Sequence, residues 1–577
     1  MSAPETVDTV VVGSGFGGAP VACRLAEAGV QVRVLERGRP WPPGSFPRSP
    51  AGVGRNFWDP AEGLYGLFDT WSFRHLEAVV SSGLGGGSLI YANVLLRKDR
   101  HWFVELDPAG YRWPLGYDDL APFYERAEDA IGGARYPLHR EPYASTPKTI
   151  ALKEAGERLA ATGTQDIRWD LPRLAISFTP EGQDPALGVQ IPEPADRPNL
   201  HGLPRHTCRL VGECDLGCNF GAKNSLDYTY LTAAHHAGAR IETLCEVRRI
   251  SLDPGGGYLV EYDRHDPDAD RPVPQRRTRH QIHARRLVLA AGTLGTTYLL
   301  LRNRAALAGL SPVLGSRFCG NGDFLAFARE CRPTGAVGQR PRSLAPSRGP
   351  VITSYIRLPD ALDPNEGAPP GARGLYIEDA GWPDFANWLA QGVETPKLLW
   401  RALSLVRSTV RRHLEADPDS DVDAEISELL GPATLPDATL GMLGMGRDIP
   451  DGRMRLRGRG RLDVDWSERT SREYFARMSS TMRRIAEDLG GTYMQAPGYT
   501  WGRRLITVHP LGGCPMGRDA REGVVDDYGR VFGHPDLYVC DGSVMPGPVG
   551  ANPALTIAAF AERCVDRIVR EEVQGGG

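Results

Sequence analysis

The sequence predicts an α/β chain, α+β overall, in which a dinucleotide-binding domain is interrupted by an inserted second domain. Three observations predict it. A β-branched run at residues 9–12 enters the turn Gly13-Ser14-Gly15-Phe16-Gly17-Gly18 and then a helical pattern. A second apolar run, residues 281–290, meets Ala291-Gly292 and again opens an apolar helix. Between residues 330 and 466 the pattern turns irregular and proline-rich, and glycine-rich elements return near residue 500.

The first element is the most informative. After the glycine turn, Val21, Leu25 and Ala28 follow helical spacing to Gly29, and the next strand, residues 31–35, ends on Glu36. Strand, glycine turn, helix, strand and then an acid about 20 residues on is the dinucleotide fingerprint. Gly13 permits the tight turn, Gly15 lets backbone approach a pyrophosphate at the positive helix end, and Gly18 lets helix and strand pack closely. Glu36 is expected to accept from ribose hydroxyls.

A proline- and aromatic-rich loop leads to Ser81-Ser82-Gly83-Leu84-Gly85-Gly86-Gly87-Ser88, with Asn93 shortly after. Such a run lets backbone amides come against an anion or a flat ring, or it serves as a linker between apolar strands. Trp113-Pro114-Leu115-Gly116-Tyr117 opens an amphipathic helix with Leu120, Phe123 and Tyr124 on one side. Residues 240–250, which include Val247, are expected to form a strand beside the nucleotide.

Cys208, Cys214 and Cys218 sit in HTCRLVGECDLGCNFGAK. Three thiols so close are either ligands of an iron–sulfur cluster or buried apolar thiols in a tight loop. They fall short of the usual four ligands and contain no CxxC zinc pair, so no metal site is expected. Residues 396–414 mix leucines with Lys397, Arg401, Arg407, Arg411 and Arg412. This pattern suits a solvated basic helix, or one that touches a membrane surface or covers an apolar channel.

Near the C-terminus, TVHPLGGCPMG is followed by GRVFGHPDLYVCDGSVMPGPVGANPALT. His509 stands among proline and glycines with no helical period to bury it, which suits an imidazole fixed at the edge of a cavity for proton transfer. Asp541 reads as an acidic cap after a buried strand, and Asn552-Pro553 precede a helical run.

The bulk numbers exclude other classes. With 577 residues the chain has room for two or more domains, and 41% hydrophobic and 24% charged residues indicate neither disorder nor a fibre. A net charge of −4 gives no electrostatic case for nucleic acid. The N-terminal apolar run leads straight into the glycine motif and lacks a basic flank, so a cytoplasmic location is expected.

VVVGSGFGGAPVACRLAEAGVQVRVLERG, GLGGGSL, AAGTLGTTYLLLR, LGSRFCGNGD and the His509/Asn552 segment together resemble the glucose–methanol–choline (GMC) oxidoreductases, and within them the bacterial cholesterol oxidases that hold FAD non-covalently. The resemblance implies a Rossmann-like FAD-binding domain (residues 1–100, 205–325 and 500–577) and a substrate domain on a large antiparallel sheet (residues 101–204 and 326–499). It implies His509 as base, Asn552 binding the same oxygen or the flavin face, and Glu378 as a catalytic glutamate. It adds Gly13, Gly15, Phe16, Gly18, Glu36, Gly85, Gly86, Gly87, Ser88, Asn93, Val247, Gly292, Asp541 and Pro553 as contacts of FAD. No histidine follows Ser88, so a covalent flavin link is not expected. The implied activity is oxidation of an alcohol of a hydrophobic, sterol-like substrate, with O2 or another acceptor taking the electrons. Two alternatives are a GMC dehydrogenase with an iron–sulfur relay and a flavin-dependent isomerase or lyase.

Overall fold

The computed structural model describes residues 5–575 apart from 105–109, 163–165, 180–182, 270–274, 334–339, 365–366, 384–436 and 497–503. The basic segment 396–414 lies outside the described residues. Strand β1 (Glu5–Val12), helix α1 (Gly18–Glu27) and strand β2 (Val32–Leu35) form the expected opening unit. β1 pairs in parallel with β2 and with the thirteen-residue strand Arg277–Leu289. All four residues of β2 are buried, as a parallel strand covered on both faces requires.

Seven strands make up this first sheet. Its path runs Arg240–Glu242, β2, β1, Arg277–Leu289, Tyr258–His265 and Cys245–Leu252, with Leu537–Val539 added in parallel beside Arg277–Leu289. The single strand expected over residues 240–250 is two strands. Leu244 breaks it at a left-handed φ of 59°, and Cys245–Leu252 goes on to pair antiparallel with Tyr258–His265.

Helix α1 packs against Tyr230–His236 and the C-terminal helix Ala554–Gly575. Where they meet, the buried Glu562 accepts from Arg24 at 2.9 Å and from Tyr230 Oη at 2.7 Å. A carboxylate inside a helical layer is tolerable only with such partners.

The second sheet is antiparallel throughout. Its six strands run Thr492–Gln495, Phe324–Arg329, Leu440–Gly446, Leu375–Ala380, Tyr355–Leu358 and Arg168–Asp170. Helix Arg472–Asp488 lays Tyr474, Phe475, Met478, Met482 and Ile485 on it, one face at helical spacing. Gly444 allows the close approach, since a Cβ there would stand 2.5 Å from Met478 Sδ. Leu325, Leu443 and Glu378 are successive cross-strand neighbours and share one face, which looks into the cavity below. Among the described residues no helix is long and apolar enough to cross a membrane.

Candidate active site

One cavity of about 1070 Å³ runs from the Gly13–Gly18 turn to the face of the antiparallel sheet. At the turn end, close backbone contacts require glycine. A Cβ on Gly13 would lie 2.3 Å from Ala290 O, and one on Gly86 2.7 Å from Gly15 Cα. Gly15 is different: a Cβ there would meet only Gly86 Cα, at 3.8 Å, and the residue lines the cavity. Its bareness therefore serves what enters the cavity rather than the packing of the fold. With the N-terminus of α1 beside it, the cradle fits the phosphates of a dinucleotide.

Glu36 closes this loop from inside. Its carboxylate accepts from Ser14 N at 3.1 Å, Ser14 Oγ at 2.7 Å and Gly38 N at 2.8 Å, while burial pushes its pKa up. Asp541 does the same at the second glycine junction. It accepts from Gly292 N at 3.0 Å, Thr296 Oγ1 at 2.5 Å and Ser543 N at 2.9 Å, and so caps the helix Gly292–Arg302. Burial raises its pKa as well.

Of the cofactor contacts expected from the sequence, Gly13, Gly15, Phe16, Glu36, Gly86, Gly87, Val247, Gly292, Asp541 and Pro553 line the cavity. Gly18, Gly85, Ser88 and Asn93 stand behind the wall. A Cβ on Gly18 would lie 2.0 Å from Gly13 O, so this glycine serves helix–strand packing. Gly85 turns the chain at φ 108°, and Ser88 Oγ locks that turn by donating to Gly85 O at 2.7 Å and accepting from Leu226 N at 3.0 Å. Asn93 is fully buried at φ 69°, and its main-chain oxygen accepts from Ala175 N at 2.8 Å.

The three side chains expected to be catalytic open onto the same cavity, two of them in contact. His509, Asn552 and Glu378 all line the cavity, although they come from a turn, a helix start and a strand. Asn552 Nδ2 donates to Glu378 Oε2 at 3.3 Å. Glu378 is wholly buried, and this desolvation, opposed by the Asn552 bond and reinforced by Asp379, Asp323 and Asp215, lifts its pKa to about 8. It therefore holds a proton at neutral pH. The cavity lining mixes Asp215 and Asp323 with the apolar Phe324, Leu325, Ile352, Leu443, Met445 and Val508.

Three polar side chains in or near this site escape a reading of the sequence. Asp323 accepts from His509 Nδ1 at 2.8 Å, and also from the main-chain amides of Val508 and His509. Asp215 lines the cavity with a pKa lifted by burial to about 6. Lys223 is buried and donates to the carbonyls of Leu89, Tyr91 and Cys214, and burial lowers its pKa to about 8. A cue existed for Asp323 in the run Gly320-Asn321-Gly322-Asp323, but nothing local points it at a histidine 186 residues away.

The cysteines pack as apolar side chains. Cys208, Cys214 and Cys218 join Val94, Tyr136, Phe178 and Leu210 in one core cluster. Among the described residues no three His, Cys, Asp or Glu come together in a way that would hold a metal ion.

Comparison with known proteins agrees with this architecture. Two GMC oxidoreductase family models match, one over residues 198–318 and one over residues 449–561. A cholesterol oxidase of Mycobacterium tuberculosis is 31% identical, covering 96% of this chain and 90% of that protein. A cholesterol oxidase of Acinetobacter baumannii is 28% identical, covering 97% of this chain and 94% of that protein. The crystal structure of pyridoxine 4-oxidase from Mesorbium loti shares the fold, with a TM-score of 0.58 at 17% identity over 97% of this chain and 99% of that one. By fold, by glycine cradle and by this match along nearly its whole length, the chain is an oxidoreductase and belongs to the GMC oxidoreductase family.

Proposed function

We propose that this enzyme binds FAD non-covalently and oxidises an alcohol of a hydrophobic, sterol-like substrate to the carbonyl. The observation that carries this reading is that His509, Asn552 and Glu378 line one cavity with Leu325, Leu443 and Met445, and that this cavity is continuous with the dinucleotide cradle. FAD, when bound, supplies the acceptor for the hydride that leaves the carbinol carbon. The remaining work belongs to the chain. His509 takes the hydroxyl proton, its imidazole held in place by the Nδ1 bond to Asp323. Asn552 orients the same oxygen from just ahead of helix Ala554–Gly575, whose N-terminal end would bring positive potential to a bound cofactor. Glu378, neutral below about pH 8, contributes a proton-holding group without adding a negative charge beside the substrate.

Leu325, Leu443 and Met445 favour an apolar substrate body, and the proposed sterol preference rests on them and on the likeness to two cholesterol oxidases. The electrons leave to O2 or to an external carrier.

The test is anaerobic reduction of the purified yellow protein by a panel of cholesterol, long-chain alcohols and sugars, followed by the loss of flavin absorbance. Bleaching by cholesterol or by the long-chain alcohols supports the reading. Bleaching by sugars alone would overturn the apolar-substrate part, and bleaching by no alcohol would overturn the whole.

A further inference from the structure

His509 and the Asn552–Glu378 pair lie on different segments, yet both are tied to one buried four-residue turn, Gly320-Asn321-Gly322-Asp323. Asn321 is fully buried, at a left-handed φ of 55°. Its amide is matched to the chain just ahead of Asn552: Oδ1 accepts from Gly550 N at 2.8 Å and Nδ2 donates to Ala551 O at 2.9 Å. Gly322 follows at φ 70°, where a Cβ would stand 2.3 Å from Tyr474 Oη, so only glycine fits. The two left-handed residues turn the chain so that Asp323 faces the opposite segment. There Oδ2 takes Thr507 Oγ1 at 2.8 Å, Val508 N at 2.9 Å and His509 N at 3.1 Å, and Oδ1 faces His509 Nδ1 at 2.8 Å.

The turn is itself held from outside. Gly320 N donates to Asp448 Oδ2 at 3.0 Å, Tyr474 Oη donates to Gly322 O at 2.9 Å, and Gly446 N donates to Asn321 O at 3.0 Å. Two successive left-handed residues, one of them not glycine, are held at a cost where function sets the geometry.

We propose that this turn is the positioning element of the active site. Asp323 fixes the proton of His509 on Nδ1, leaving Nε2 as the bare acceptor. Asn321 fixes the 550–551 backbone and with it Asn552. Because both side chains leave the same rigid turn, the distance between base and oxygen-orienting amide is set there rather than by the sheet. The proposal rests on the reading of His509 as base, and the tautomer measurement below is independent of that reading.

The test uses holoenzyme carrying Asp323→Asn, Asn321→Ala or the milder Asn321→Asp, with cholesterol or 1-dodecanol in detergent as the probe alcohol. Nitrogen NMR of histidine-labelled protein, with the His509 signal assigned from His509→Gln, reads the tautomer. We expect Asp323→Asn to move the His509 signal and Asn321→Ala to leave it in place. Both should slow reduction per bound flavin by about 10²-fold, the scale of a misplacement near 1 Å, with little change in KM. Asn321→Asp keeps the acceptor for Gly550 N and should recover part of the rate. An unmoved His509 signal in Asp323→Asn would overturn the proposal, and so would wild-type rates per flavin in Asn321→Ala. If His509→Ala retains the wild-type rate, the base assignment fails while the tautomer result still decides the role of Asp323.

Discussion

Asn552 and Glu378 share one hydrogen bond of 3.3 Å, and each keeps a second polar atom, Asn552 Oδ1 and Glu378 Oε1, without a partner among the described residues. Two orphaned polar atoms on buried neighbours cost stability. Placed on the wall of a large cavity, they are the groups a ligand hydroxyl would satisfy.

The burial of Glu378 gives a pH signature. Its pKa is about 8 in the folded protein against an ordinary 4.5. Between those values the folded protein keeps a proton that the unfolded chain has released. Stability therefore falls as pH rises through the window, at up to about 1.4 kcal/mol per pH unit, and the loss is complete above the upper value. Glu378→Gln lacks this penalty. Its thermal midpoint should gain on the wild type between pH 5 and pH 9, and a gap equal at both pH values would contradict the buried neutral acid.

Gly15 and Gly18 separate cofactor approach from packing. A Cβ on Gly15 meets only an ordinary contact, whereas one on Gly18 would sit 2.0 Å from Gly13 O. Gly15→Ala should leave the thermal midpoint of apoprotein unchanged while dinucleotide affinity falls at least about tenfold, an effect of about 1.4 kcal/mol. Gly18→Ala should lower the midpoint of apoprotein itself. Titration of both apoproteins with FAD, beside their melting curves, distinguishes the two roles.

Much of this was legible because it is local. The Gly13–Gly18 turn, β2 and Glu36 announce themselves through backbone requirements confined to some 25 residues, and Asn552 and His509 through the prolines and glycines that hold them. Asp323, Asn321 and Lys223 were not legible, because each gains its role from a partner brought near by the fold: Ala551 is 230 residues from Asn321, and Leu89 is 134 from Lys223. Glu378 was reached through family resemblance. Its strand, Leu375–Ala380, is buried at every position, so no alternation marked which side chain faces the cavity. Ser88 and Asn93 show the converse: a glycine run signals close backbone approach without saying which neighbour also braces the turn.

The thiols should be dispensable to the chemistry. Cys208 is buried among aromatic and aliphatic side chains, and burial raises the pKa of Cys208 and Cys214, the latter to about 11, which disfavours the thiolate a metal needs. Replacing Cys208, Cys214 and Cys218 with alanine should leave the flavin spectrum and the rate per flavin intact, at some loss of stability from the buried Cys208. Stoichiometric iron with labile sulfide in anaerobically purified protein would reverse this expectation.

Cofactor attachment follows from Leu89, Ile90 and Tyr91, which occupy the positions after Ser88 and offer no imidazole for a covalent bond. Acid precipitation should release the yellow colour into the supernatant, and colour kept in the pellet would contradict non-covalent FAD.

The most direct test concerns His509. The His509→Ala holoenzyme, mixed anaerobically with an alcohol that reduces the wild type, reports the rate of cofactor reduction per bound flavin. With the base removed, that rate should fall by about 10²–10⁴-fold while FAD content and thermal midpoint stay close to wild type. A wild-type rate per bound flavin, with only flavin or stability lost, would contradict the account and leave His509 as a brace for its turn.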